Sequence, residues 1–149
     1  MKKIKVLLLM FLTVFMVGCG SEEKTVVEPT DYLNIIQNLG YTAEDHTSSF
    51  AYSEASYLIN NNNMYVLYVK GKKKYDIEGL FLDECKNVYN LAKEGYKEKT
   101  DGSDNWVSLE VKDNEKYYYV VYVDDTYLQI KADLAQEPYA KEIIEKLGY

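Results

Sequence analysis

The sequence predicts an α+β fold: an antiparallel sheet of about six strands with about three helices, the helices largely on one face. Three observations lead there. Met64–Val69 and Tyr118–Val123 are short runs of Val, Leu, Met and Tyr, which suit a pleated, half-buried surface. Three other stretches place apolar residues at helical spacing, and the tripeptides Leu39-Gly40-Tyr41, Glu94-Gly95-Tyr96 and Leu147-Gly148-Tyr149 stand at their ends. The chain also holds 16 Tyr but one Trp and four Phe, an excess of rings with an apolar body and a polar tip.

Residues 1–18 lie outside the predicted domain. Met1–Lys5 is basic, Val6–Val17 is almost wholly apolar, and Gly18 precedes Cys19. That is the layout of a secretory signal peptide. The apolar run is too short for a spanning helix, which needs about 20 residues. Met16-Val17-Gly18-Cys19 resembles the lipobox of bacterial lipoproteins, with Met16 where that family prefers Leu, Val or Ile. The resemblance implies cleavage before Cys19 and lipidation of its thiol by a diacylglycerol with palmitate-type chains. Two chains are enough for stable anchoring. It further implies a lipoprotein of the cell envelope, held at the cell membrane outside the cytoplasm.

Residues 19–29 then read as a lipidated tether, polar and without periodicity, and 30–149 as a single domain. A first helix is expected over Thr30–Leu39, capped by Thr30 or Asp31, with Tyr32, Ile35, Ile36 and Leu39 on one face and Gly40 as a left-handed stop. Phe50–Ile59 and Met64–Val69 flank an Asn60–Asn63 turn, and a third short strand is expected over Lys73–Ile77. A second helix follows over Leu80–Glu94 with Phe81, Cys85, Val88 and Ala92 as its core stripe. Trp106–Val111 pairs with Tyr117–Val123, Tyr127–Ala132 adds a strand, and Glu137–Leu147 closes the chain as a helix with Tyr139, Ile143 and Leu147 inward. Gly40 and Gly95 should take positive φ as helix stops, with Gly148 mattering less. Asn60 matches Asn114, and Met64–Val69 matches Tyr118–Val123, at one common offset. This suggests a tandem βββα duplication, with half-repeats 41–96 and 97–149 after the N-terminal helix. Similar strand–strand–helix units would give the same pattern by shared physics.

Composition excludes one class of partner. The chain carries 17 Lys, no Arg and 24 acidic residues, a formal charge of −7, and loses three of the Lys with the signal. Without the guanidinium fork, and acidic overall, it is no nucleic-acid binder. With Cys19 lipidated, Cys85 is left alone and no internal disulfide is expected.

Tyr52, Tyr68, Trp106 and Tyr122 form the candidate binding face. In Trp106–Val111 the residues Val107, Leu109 and Val111 alternate with Trp106, which should therefore face solvent. Trp106→Ala should then weaken binding and spare the fold. The same rings could instead pack as a second core, or bury against the tether. Asp101, Ser103 and Asn105 sit like the start of a calcium loop, but Trp106 and Lys112 replace its Gly and Glu, so a solvated turn is expected and no metal. His46 has no second His to share a zinc, and Cys85 lies on a buried helical face where thiols are inert. Lys70, Lys72, Lys73 and Lys74 could touch anionic headgroups or simply blunt a sheet edge. No catalytic constellation and no cofactor motif is present. The expected function is a membrane-anchored binding or accessory module for a protein or glycan; the alternative is a small cell-surface hydrolase using carboxylates.

Overall fold

A computed structural model describes residues 22–61 and 63–149, so the signal segment and Cys19 lie outside the described residues. In chain order the elements are α1 (Pro29–Asn38), β1 (Glu44–Asp45), β2 (Ser53–Asn61), β3 (Met64–Gly71), α2 (Lys74–Leu91), β4 (Lys97–Ser103), β5 (Trp106–Lys112), β6 (Lys116–Val123), β7 (Thr126–Asp133) and α3 (Glu137–Leu147). The class is α+β, with three helices and one antiparallel sheet of seven strands among the described residues. The sheet order is β1-β2-β3-β7-β6-β5-β4. The β2–β3 hairpin therefore meets the β4–β7 meander through the central pair β3·β7.

The apolar character of both faces of the central strands has a direct cause: both faces are covered. Tyr68, Leu128, Ile130, Tyr119 and Val121 point to one face, where α1 contributes Tyr32 and Ile36, and α3 contributes Ala140, Ile143 and Leu147. Leu67, Val69, Val120 and Tyr127 point to the other, beneath Ile77, Phe81, Cys85 and Val88 of α2. The helices are thus split two and one, not gathered on one face. Tyr139, expected inward, is half exposed, and Ala140 and Ile144 take its place. No helix among the described residues is long and apolar enough to cross a membrane.

The expected third strand, Lys73–Ile77, is instead the opening of α2. Ile77 extends the Phe81–Cys85 stripe back by one turn, so the helix gains a fully buried side chain by starting early. Gly71 makes room for it, since a Cβ there would lie 2.5 Å from Ile77 Cγ1. The stretch 99–105, expected as a solvated loop, is instead most of β4 and its tight turn into β5.

Two of the three Gly-Tyr endings are helix stops of one type. Gly40 has φ +85°, its N–H donates to the Gln37 carbonyl and that of Tyr41 to the Ile36 carbonyl. Gly148 has φ +75°, its N–H donates to the Glu145 carbonyl and that of Tyr149 to the Ile144 carbonyl. Both are Schellman motifs. Gly95 also has positive φ but caps nothing: α2 ends at Leu91, and Gly95 lies in the turn into β4.

Candidate functional site

The segment expected to be a free tether is a docked strap. Glu22–Glu28 has no regular structure, yet it crosses one face of the sheet above a single row of side chains, Trp106, Val123, Thr126 and Lys70, on four adjacent strands. At one end Trp106 Nε1 donates to the Glu22 carbonyl at 3.0 Å. Asn105 then pairs with Lys24 like a strand partner: Oδ1 accepts the Lys24 N–H at 3.2 Å and Nδ2 donates to the Lys24 carbonyl at 2.7 Å. Val27 is buried, and its carbonyl accepts the Tyr68 hydroxyl at 2.6 Å. At the far end Lys70 reaches Glu28 at 3.1 Å and Asp125 at 2.9 Å. Burial opposes the Lys70 charge, but these two carboxylates prevail and raise its pKa.

Beside the strap, the same face of the sheet opens into a groove of about 190 Å³. Lys99 and Asp101 of β4 and Trp106, Ser108 and Glu110 of β5 form its floor, and Lys141 and Ile144 of α3 form its wall. α3 covers β6 and β7 but stops short of β4, which is why the floor is open. The groove mixes charged and aromatic side chains that contact one another. Tyr117 donates to Glu110 Oε2 at 3.1 Å, Lys141 Nζ lies 5.7 Å from the Tyr117 ring centre, and Lys24 Nζ sits 4.5 Å from the Trp106 ring centre. A second depression, of about 260 Å³, lies on the α2 side of the sheet, between Tyr65, Leu91 and Tyr118.

The four rings proposed as a binding face are not brought together. Trp106 (5% exposed) and Tyr68 (0%) belong to the strap face; Tyr122 (6%) lies under α2, edge-on to Phe81 at 5.2 Å, and Tyr52 packs on that side against Phe50. The alternation in β5 is as read, with Val107, Leu109 and Val111 facing α2. The opposite side is not open, because the strap covers Trp106. Its indole is core, so Trp106→Ala would disturb the fold.

The lysine turn is committed to internal bonds. Besides Lys70, Lys72 Nζ donates to the Ala51 carbonyl at 2.9 Å and Lys74 lies 3.3 Å from Asp124. Cys85 is buried at 1% exposure, and burial drives its thiol pKa well up. His46 stands 3.6 Å from Glu44 at the β1 edge, and no group of His, Cys, Asp and Glu among the described residues could hold a metal. Asp101, Ser103 and Asn105 belong to the β4–β5 hairpin. Sequence reasoning missed Lys24, Lys99, Asn105, Glu110 and Lys141 as parts of one place. The available hint was Val26-Val27, an apolar pair inside a polar stretch.

No family model, no curated protein and no solved structure matches this chain.

Proposed function

We propose that the chain is a lipid-anchored accessory module at the outer side of a cell membrane, and that it offers β4 and the adjoining groove to a partner protein. The docked strap carries the reading. Cys19 precedes Glu22 by three residues, at most about 11 Å of chain. A lipid on Cys19 would therefore hold the Trp106 end of the groove within a short reach of the bilayer.

A protein partner is favoured over a glycan because the largest ring beside the groove is already occupied. Trp106 gives its N–H to the strap and carries Lys24 over its face, leaving no free platform for a sugar. The two carboxylates of the groove are likewise engaged, Glu110 by Tyr117 and Asp101 by the Gly102 N–H at 2.9 Å.

Cys19→Ala should move the protein from the membrane fraction to the soluble fraction and abolish labelling by a fatty-acid analogue. Wild-type protein that pellets with membranes unlabelled would overturn the anchor. A photo-reactive residue at Lys99 should give protein adducts in membranes, while the same residue at Lys86, on the exposed side of α2, should not. Equal yields at both positions would overturn the choice of surface.

A further inference from the structure

The two edges of the sheet are finished differently. Beyond β2 lies the two-residue β1, and the chain also satisfies Ser56 on that edge: the Ser56 N–H donates to Thr47 Oγ1 at 3.0 Å and its carbonyl accepts the His46 N–H at 2.8 Å. β4 ends the strand order on the other side with seven residues, and Lys97, Glu98, Lys99 and Asp101 are exposed. An edge of that length is a template for another strand. Resting on the reading that β4 is a contact surface, we propose that its partner is β4 of a second copy of this chain, paired antiparallel about a two-fold axis through Thr100.

Hydrogen-bond parity and charge together select that register. Ser103 and Trp106 close a two-residue hairpin over Asp104 and Asn105, so they form a hydrogen-bonded pair. Alternation then turns the backbone groups of Asp101 and Lys99 toward β5, and those of Thr100 and Glu98 outward. A two-fold axis through an inward residue, Lys99 or Asp101, would set two like charges directly against each other, which leaves the outward residues. Centring it on Glu98 sets Lys97 against Lys99 twice, a like-charge clash. Centring it on Gly102 sets Asp101 against Ser103 and leaves Lys99 beyond the strand. Centring it on Thr100 sets Lys99 against Asp101 twice, an opposite-charge pair on the groove side of the sheet. Lys99 has no partner among the described residues. Asp101 would exchange its bond to the Gly102 N–H for the ammonium of the other copy. The lysines that repel a foreign basic strand are thus matched by the chain's own sequence. Because Lys99 and Asp101 floor the groove, pairing would also join two grooves into one trench, each copy supplying residues to the other's site.

The charges provide the test. The full chain, purified in detergent, should sediment as a dimer. Lys99→Asp and Asp101→Lys should each weaken association at least tenfold, since each creates two like-charge pairs. Mixing the two variants should restore a heterodimer, because one copy then presents two carboxylates at these positions and the other two ammonium groups. Both positions are exposed, and unchanged thermal melts would show that the variants fold. A short thiol cross-linker should join Thr100→Cys to its own copy but not Lys97→Cys, with Cys85 too buried to compete. A monomeric wild type, or variants that fail to pair when mixed, would overturn the proposal. Adducts from the photo-reactive Lys99 position with other proteins but never with the chain itself would overturn self-pairing and leave the contact surface standing; no adducts of either kind would overturn both.

Discussion

Tyr32 stacks on Tyr68 with ring centres 4.3 Å apart, and both rings are fully buried beneath α1. The Tyr68 hydroxyl finds the Val27 carbonyl, whereas the Tyr32 hydroxyl is enclosed without a hydrogen bond. Enclosing an unpaired hydroxyl costs about 1–3 kcal/mol. Tyr32→Phe keeps the stack and removes that cost, so it should leave the protein at least as stable, and by up to ~3 kcal/mol more so, in denaturant titrations. Tyr68→Phe should destabilise, because it strands the Val27 carbonyl. A fall in stability for Tyr32→Phe would mean its hydroxyl has a bonding role. At this scale the sequence was partly legible. The inward set Val107, Leu109 and Val111 follows from alternation alone. The surroundings of Trp106 do not, because Lys24 and Asn105 reach it through single polar bonds with no periodic signature.

Among the elements, the helix stops were the most legible feature, since a left-handed residue after an apolar stripe calls for Gly. Their weights were harder to read. Gly148 positions Tyr149, whose hydroxyl lies 2.9 Å from Thr126 Oγ1 beneath the strap. A Cβ at Gly148 would touch nothing, so Gly148→Ala isolates the backbone cost of φ +75°. It should destabilise by about 1 kcal/mol in thermal or denaturant melts, on a par with Gly40→Ala. No measurable loss would show that Tyr149 reaches its place without the motif. The start of α2 was illegible for a different reason. Lys73-Lys74-Tyr75-Asp76-Ile77 alternates polar and apolar residues as a strand does, and only the i, i+4 relation of Ile77 to Phe81 reveals the helix. β4, lacking any apolar residue, offered no pattern; its strand is imposed by pairing with β5.

For the whole molecule, the central strands are apolar on both sides and are covered on both faces, where helices largely on one face were expected. The identity of the cover was not legible in the sequence: one face takes two helices and a strap, the other a single long helix. The strap is fastened to two hairpin turns at once. Asn105 holds Lys24 and also donates to Asp124 Oδ2 at 3.2 Å, while the Asp124 N–H donates to the Asn105 carbonyl at 2.7 Å. Asn105→Ala should therefore lower stability by about 1–3 kcal/mol. It should also make Trp106, the single tryptophan of the chain, more open to acrylamide quenching. In the wild type its emission should be blue-shifted and poorly quenched; a readily quenched wild type would mean that the strap does not stay docked.

The order of the strap's fastenings has a mechanical consequence. Tension entering on the N-terminal side of Glu22 meets them one after another: the Trp106 indole first, then Asn105, then Tyr68 and finally the Lys70 ion pair with Glu28. Such loading peels the strap instead of shearing it, so each bond bears the force alone and low forces suffice to begin. The last fastening lies beside Pro29, the first residue of α1. A pull that passed it would act directly on the helix covering the Tyr32–Tyr68 stack, turning a tug on the N-terminus into exposure of aromatic core.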